Sequence, residues 1–154
     1  MKLLFVCTGN TCRSPMAEAL LKNAIKLQCI KNLQVSSCGL VINEKVLSSG
    51  SRKALRKFGI KNVRHTAKVL TSKILSEQDL VLTMTENQNK YIQDMFINNG
   101  NLKKVQVESM GKYTCYKDVV DPYGKSDEYY VACANQLEYM CGDIINRLKK
   151  EGKI

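Results

Sequence analysis

The chain has 154 residues, of which 44% are hydrophobic, and a formal net charge of +10 at pH 7. This length predicts one domain over residues 1–154, with a core large enough to fold without a metal ion or a disulfide. Seven cysteines without framework spacing argue against a disulfide scaffold, and a single histidine without a Cys-x2-Cys pair argues against zinc, so we expect neither a metal nor a cofactor.

The start of the chain has too short an apolar run for a secretory signal or a membrane span, because polar residues follow soon after Leu3 to Cys7. We therefore expect a cytoplasmic protein without a membrane partner, in a compartment that keeps thiols reduced. No internal repeat or interdomain linker is visible in the sequence, and we expect a monomer.

The positive charge is concentrated in one half of the chain. Residues 1–77 carry 14 basic and 3 acidic side chains, whereas residues 78–154 carry 10 and 11. This distribution predicts attraction to phosphorylated or acidic partners, and we expect no specific binding of nucleic acid. The densest basic cluster is interpreted as a solvated face, with recruitment of substrate as the alternative; it comprises Arg52, Lys53, Arg56, Lys57, Lys61, Arg64 and Lys68.

The first strand and the first helix are joined by the loop with the most distinctive chemistry. Lys2 to Val6 predict a short buried strand, and Pro15 opens an apolar-periodic helix over residues 15–29. Between them lies Cys7-Thr-Gly-Asn-Thr-Cys-Arg13-Ser14-Pro15. A helix amino terminus presents unpaired N–H groups and the positive end of the helix dipole, so this junction suits an anion.

The residue types of this loop predict an oxyanion cradle with a nucleophile at its floor. Gly9 lets the backbone curl around an anion, and Arg13 offers a planar fork of donors to two phosphoryl oxygens. A positive cradle favours the thiolate of Cys7, to which Ser14 can donate a hydrogen bond. The alternative is a small core cysteine at the end of a strand. The predicted phosphate-binding loop comprises Thr8, Gly9, Asn10, Thr11, Cys12, Arg13 and Ser14.

The rest of the chain predicts strands that alternate with helices. Further strands are expected at residues 33–36, 79–84 and 103–107. Helices are expected at residues 48–58, from about residue 71, from a capping box at Thr85 to about Ile97, and at residues 127–150. Loops are expected at residues 40–47 and over about 18 residues after the fourth strand. The alternation predicts an α/β fold, a three-layer sandwich in which a four-stranded parallel sheet is flanked by helices.

The stretch Phe5-Val-Cys-Thr-Gly-Asn-Thr-Cys-Arg-Ser-Pro-Met-Ala-Glu-Ala19 resembles the signature of the low-molecular-weight protein tyrosine phosphatase family, whose members share Cys-x5-Arg-Ser-Pro near the amino terminus. The resemblance implies the flavodoxin-like or Rossmann-like fold of that family and a single phosphatase domain acting on phosphorylated proteins. It is nearest to the protein-arginine phosphatase branch, because Thr11 stands where tyrosine phosphatases typically carry a branched aliphatic residue. The resemblance thus implies phosphoarginine as substrate, with phosphotyrosine as the alternative.

Two segments resemble parts of the family that support its phosphate loop. Ser36-Ser37-Cys38-Gly39 is similar to a supporting Ser-Ala-Gly segment, which implies a hydrogen bond from Ser37 to Asn10; an ordinary serine at a strand end is the alternative. Ser14 and Asn10 are the other expected supports. His65 receives no catalytic role, and the resemblance implies at most that it supports the cradle.

Asp121-Pro122 resembles the general-acid loop of the family, although Asp-Pro is also ordinary turn chemistry. Asp118 is a weaker competitor for the acid role, because it lacks the adjoining proline and aromatic residue. Tyr123 resembles the aromatic residue that lines the substrate cleft. Many tyrosine phosphatases carry a second aromatic residue next to this one, whereas here Gly124 follows Tyr123. This difference weakens the case for a phosphotyrosine pocket.

The resemblance implies a two-step displacement at phosphorus without a metal ion. Cys7 attacks the phosphoryl group, Arg13 and the loop N–H groups hold the developing charge, and Asp121 protonates the leaving atom and then activates water. By the same resemblance Cys12 is expected to form a reversible disulfide with Cys7 that protects the nucleophile, and simple packing is the alternative.

Two other functions are less favoured. Arsenate reductases resemble this pattern only with two further redox cysteines near the third strand, and residues 78–100 contain no cysteine. A phosphopeptide-binding module without catalysis needs neither a thiolate nor an acid, so the combination of Cys7, Arg13 and Asp121 argues against it.

Overall fold

Four parallel strands form the centre of the molecule. A computed structural model of the chain describes residues 1–98 and 105–154. The strands are Lys2–Cys7 (β1), Gln34–Gly39 (β2), Leu80–Thr83 (β3) and Gln106–Ser109 (β4). They are paired in the order β2-β1-β3-β4, and all three pairings are parallel. The predicted α/β sandwich with a four-stranded parallel sheet is confirmed.

Helices cover both faces of this sheet. The helices are Arg13–Leu27 (α1), Ser49–Arg56 (α2), Ser72–Ser76 (α3), Glu86–Ile92 (α4), Met110–Thr114 (α5) and Asp127–Lys150 (α6). Alternate side chains of β1 point to opposite faces of the sheet. Leu3 and Phe5 pack in one apolar cluster with α1 and α6, and Leu4 and Val6 pack in another with α3 and α4. Within the described ranges no helix combines the length and apolar character needed to cross a bilayer.

Helix boundaries follow the predicted capping signals. Thr85 and Gln88 form the predicted capping box before α4, and α6 begins and ends where the sequence places it. The helix expected to reach Ile97 is α-helical only to Ile92 and continues as a π-helical segment, Gln93–Ile97.

Other elements differ from the expectations: the helices expected over 15–29 and 48–58 are Arg13–Leu27 and Ser49–Arg56, and further differences concern β2, β4 and α5. β2 extends beyond Ser36 to Gly39, because the supporting segment itself pairs with β1. Residues 103 and 104 of the predicted fourth strand lie outside the described residues, and β4 runs on to Ser109. The long loop expected after β4 begins with α5, in which the Ser109 hydroxyl accepts a hydrogen bond from the Lys112 N–H. A five-residue helix is too short to show an apolar period, so the sequence pattern missed it.

Candidate active site

The predicted phosphate-binding loop connects the end of β1 to the start of α1. Cys7 is the last residue of the strand and Arg13 the first of the helix. The tight curl depends on Asn10, which has a left-handed backbone with φ of 53°, and not on Gly9 as the sequence suggested. Asparagine tolerates this conformation better than most residues, because its short side chain can make local hydrogen bonds.

The sulfur of Cys7 lies among hydrogen-bond donors. The Asn10 N–H donates to Cys7 Sγ at 3.2 Å, and the Ser14 hydroxyl lies 2.9 Å from the same sulfur. Cys7 is 3% exposed, yet it lines a cavity that opens to solvent. Two donors aimed at one sulfur stabilise a thiolate, which is the reactive form of cysteine.

The side-chain amide of Asn10 organises the floor of the cavity. Its Nδ2 donates to Ser14 Oγ and to Ser37 Oγ, both at 2.9 Å, so the hydrogen bond expected between Asn10 and Ser37 is present. Its Oδ1 accepts from the Lys68 N–H at 3.0 Å, and its backbone carbonyl lies 2.7 Å from His65 Nε2. His65 therefore contacts the loop from behind and does not line the cavity.

Glu18 is a supporting residue that the sequence analysis missed. Its carboxylate accepts a hydrogen bond from the Ser37 hydroxyl at 2.6 Å and forms an ion pair with Lys22. Because a carboxylate only accepts, the Ser37 oxygen is left to accept from Asn10. The Ser14 oxygen also accepts from Asn10, and its proton can go to Cys7 Sγ at 2.9 Å or to the Cys38 carbonyl at 3.3 Å. Glu18 lies four residues after Ser14 in α1, a spacing that puts both on one helix face and could have signalled this role.

Gly39 is a second missed support. A Cβ atom at this position would lie 2.9 Å from the Thr8 carbonyl oxygen, 3.0 Å from Asn10 Cβ and 2.9 Å from the Ile42 side chain. The absence of a side chain lets the end of β2 approach the loop, where the Leu40 N–H donates to the Thr8 carbonyl at 2.8 Å. Strand β2 therefore holds the loop through both backbone and side-chain hydrogen bonds.

Arg13 brings the predicted general acid to the cradle. The residue is 5% exposed; one Nη of its guanidinium donates to Asp121 Oδ2 at 2.9 Å, and the other donates to the Val119 carbonyl at 3.3 Å. The Asp121 side chain is 53% exposed and lines the cavity. Asp118 lies elsewhere, since both of its carboxylate oxygens accept from the Glu86 N–H at the start of α4. The geometry thus favours Asp121 over Asp118 as the acid.

The cavity above Cys7 has a volume of about 190 Å³. Thr11 lines its wall and Tyr123 its rim, as the sequence analysis expected. Two rim residues were missed, Asn43 and Glu44, because they belong to a segment that showed only a loop pattern. The complete lining comprises Cys7, Thr8, Gly9, Thr11, Cys12, Arg13, Asn43, Glu44, Asp121 and Tyr123.

Cys12 points its thiol towards α2 and α6. Its Sγ donates to Ser48 Oγ at 3.3 Å and lies 3.7 Å from the Tyr130 hydroxyl. Burial, followed by the hydrogen bond with Cys12, raises the pKa of Tyr130 to about 12, and burial raises the pKa of Cys133 to about 12. In the part of the chain that the structure describes, no three His, Cys, Asp or Glu side chains are grouped so that they could hold a metal ion.

Known proteins of one family are similar to this chain in sequence and in fold. The model of the low-molecular-weight phosphotyrosine protein phosphatases matches residues 2–154. The chain is 34% identical to a protein-arginine-phosphatase of Bacillus subtilis, over 98% of this chain and 99% of that protein, and 32% identical to the tyrosine phosphatase PtpB of Staphylococcus haemolyticus, over 94% and 97%. A mutant of the arginine phosphatase YwlE with a phosphorylated active-site serine superposes with a TM-score of 0.88, at 33% identity and 97% coverage of both chains. The chain belongs to the low-molecular-weight phosphotyrosine protein phosphatase family.

Proposed function

We propose that this protein is a cysteine-dependent protein phosphatase that hydrolyses phosphoarginine on proteins through a phosphocysteine intermediate. One observation carries the phosphatase assignment: Cys7, Arg13 and Asp121 line one cavity, with donors on the sulfur and a 2.9 Å contact between the guanidinium and the carboxylate. A thiolate, a phosphate-binding fork and an acid are the three groups that a metal-free phosphoryl transfer needs.

In the first step the Cys7 thiolate attacks phosphorus in line. The S–P bond forms as the P–N bond breaks, and Asp121 gives its proton to the departing nitrogen so that arginine leaves. The equatorial oxygens are held by Arg13 and the N–H groups of the loop. To bind Arg13, the phosphoryl group displaces the Asp121 carboxylate, which takes up a proton from solvent water and then lies beside the leaving atom as the acid.

In the second step water hydrolyses the phosphocysteine. The Asp121 carboxylate takes a proton from the water as its oxygen attacks phosphorus, the S–P bond breaks, and inorganic phosphate leaves with Cys7 again a thiolate. The hydrogen bonds from Ser14 and from the Asn10 N–H stabilise the sulfur as a leaving group. The same carboxyl group thus acts first as acid and then as base.

The choice of phosphoarginine is supported by Thr11 and by the aromatic rim. Thr11 lines the cavity, and a hydroxyl at this position can hydrogen-bond a phosphoramidate N–H or position a water molecule, which a branched aliphatic side chain cannot do. Tyr123 is 62% exposed, and its ring is free to stack on a planar guanidino group. The arginine phosphatase of Bacillus subtilis, at 34% identity, points the same way.

Phosphotyrosine is the second candidate substrate. Relatives named as tyrosine phosphatases match over most of the chain, and the Tyr123 ring can stack on a phenyl ring as well. We would measure kcat/KM for a phosphoarginine peptide and a matched phosphotyrosine peptide with wild type, Thr11→Ile and Thr11→Ser.

We expect wild type to prefer phosphoarginine and Thr11→Ile to reduce that preference about tenfold, the effect of one lost hydrogen bond to substrate. Thr11→Ser keeps the hydroxyl and should keep the preference. A wild-type preference for phosphotyrosine that Thr11→Ile leaves unchanged would refute the assignment. Absence of turnover of p-nitrophenyl phosphate as well would favour a binding module.

We further propose that the chain acts as one monomeric domain in the cytoplasm on phosphorylated proteins, where its seven free cysteines stay reduced. Elution as a dimer at micromolar concentration would contradict the monomer. The redox role of Cys12 stays a prediction: if peroxide inactivates wild type and Cys12→Ser irreversibly and at the same rate, that role is wrong.

A further inference from the structure

Glu44 carries a carboxylate on the rim of the cavity whose floor holds Cys7 and Arg13. It lies in the loop between β2 and α2 and is exposed. The Tyr123 hydroxyl donates to Glu44 Oε1 at 3.4 Å, so two loops that are 79 residues apart in sequence meet across the cavity mouth. A carboxylate has about four acceptor sites, so this contact leaves most of its capacity for a substrate.

A negative charge at this position is unexpected for a site that only binds phosphate. Residues 1–77 contain three acidic side chains, and one of them lines the cavity. Of the other two, Glu18 is engaged with Ser37 and Lys22 behind the loop, and Glu77 follows α3. Like charges repel, so Glu44 disfavours a phosphate dianion unless the rest of the substrate compensates.

We propose that Glu44 is a specificity-determining residue that accepts hydrogen bonds from the guanidino group of phosphoarginine, an inference that rests on the proposed function. A guanidino group has N–H donors in a planar fork and matches a carboxylate in geometry, whereas the phenyl ring of phosphotyrosine offers no N–H donor. Glu44 repels the phosphoryl group of both substrates, and only the guanidino group of phosphoarginine offsets this repulsion by donating hydrogen bonds to the carboxylate. The carboxylate therefore discriminates against phosphotyrosine.

Tyr123 has a secondary part in this arrangement. Its hydroxyl holds the Glu44 carboxylate at the mouth, and its exposed ring lies on the same rim. The two side chains thus offer a planar cation both an acceptor and an aromatic face. Of these two side chains only Glu44 is charged. Substitutions of Glu44 and of Tyr123 can therefore measure the effect of the carboxylate and the effect of the aromatic ring separately.

The test compares kcat/KM for a phosphoarginine peptide and a phosphotyrosine peptide of the same flanking sequence. Glu44→Gln keeps the size and an oxygen for Tyr123 but removes the charge. We expect phosphoarginine turnover to fall about tenfold, mainly through KM, while phosphotyrosine turnover stays equal or rises. The matched control is Lys45→Gln, which also changes one charge in this loop but lies outside the cavity lining, and it should leave the ratio of the two substrates unchanged.

Three outcomes overturn the inference, and they separate it from the proposed function. An equal fall for both substrates in Glu44→Gln, or none for phosphoarginine, refutes the role of Glu44 while the phosphoarginine assignment stands. A change in the substrate ratio in Lys45→Gln as large as that in Glu44→Gln refutes it as well, because the effect then follows the charge of the loop and not a contact in the cavity. Wild type that does not hydrolyse phosphoarginine refutes the proposed function and this inference with it.

Discussion

The floor and the rim of the cavity are built in opposite ways. The floor is formed by Cys7 and Arg13, and Asn10 and Ser14 support it from beneath; all four residues are buried, and hydrogen bonds of 2.9 to 3.2 Å join Cys7, Asn10 and Ser14. The rim is formed by Glu44, Asp121 and Tyr123, which come from two loops, are exposed, and meet through the 3.4 Å contact between Tyr123 and Glu44.

This difference assigns different tasks to the two regions. Every substrate of the family brings the same phosphoryl group to the floor, so a change there should lower the turnover of all substrates by one factor. Substrates differ in the group that reaches the rim, so a change there should alter the ratio between substrates. Substitutions at Cys7, Asp121 and Gly39 test this division, and a substitution at Cys133 in the core has the smallest expected effect.

Replacing Cys7, the proposed nucleophile at the floor, should have the largest effect. Cys7→Ser should lower kcat for every phosphorylated substrate by about four orders of magnitude or more, because an alcohol at neutral pH is a far weaker nucleophile than a thiolate. Binding of inorganic phosphate, measured by calorimetry, should persist because Arg13 and the loop remain. Full turnover by this variant would remove the basis of the proposed mechanism.

Asp121→Asn tests the rim residue that we propose as the general acid. Without the carboxyl proton, kcat for the phosphopeptides should fall about 100-fold, and the fall should be smaller for p-nitrophenyl phosphate because its leaving group needs less help. Asp118→Asn is the matched control: it removes a charge that caps α4, so activity should be kept while stability falls by about 1 kcal/mol. Equal activity losses in the two variants would mean that the acid is misassigned.

Gly39→Ala tests the close approach of β2 to the floor. The added Cβ would lie 2.9 Å from the Thr8 carbonyl oxygen, so the loop must shift, and we expect kcat/KM to fall about tenfold by the same factor for both peptides. Gly142→Ala in α6 adds a Cβ that meets nothing within 4 Å; it should keep activity and stabilise the helix by up to about 1 kcal/mol. A substrate-selective loss in Gly39→Ala would contradict the division between floor and rim.

The smallest effect concerns the buried thiol of Cys133, which packs in the same apolar cluster as Cys7. Burial raises the pKa of Cys133 from 9.0 to about 12, so above pH 9 the unfolded chain loses this proton first and the free energy of unfolding falls as pH rises. Between pH 8 and 10 this fall should be about 1 kcal/mol larger in wild type than in Cys133→Ala, measured by urea unfolding. The exposed Cys29→Ala variant should retain the wild-type slope; a retained slope in Cys133→Ala would show that another group titrates.

Local sequence patterns predicted most elements of the fold because each is encoded by neighbouring residues. The apolar run at residues 79–84 contains β3, and the apolar period of residues 127–150 coincides with α6. The failures have equally local causes. α5 is too short to show a period, and the left-handed residue of the loop is Asn10 where glycine was the expected choice.

Most of the floor is specified locally, since Cys7, Asn10, Arg13 and Ser14 lie within eight consecutive residues at a strand–loop–helix junction, a site that suits an anion. The assembly of the rim depends instead on contacts between distant parts of the chain, although Asp121 and Tyr123 were each expected near the substrate. The pairing of Arg13 with Asp121 spans 108 residues and that of Tyr123 with Glu44 spans 79, and no periodicity links residues so far apart. Such contacts arise because parallel strands end at one edge of the sheet, where the loops that follow them converge.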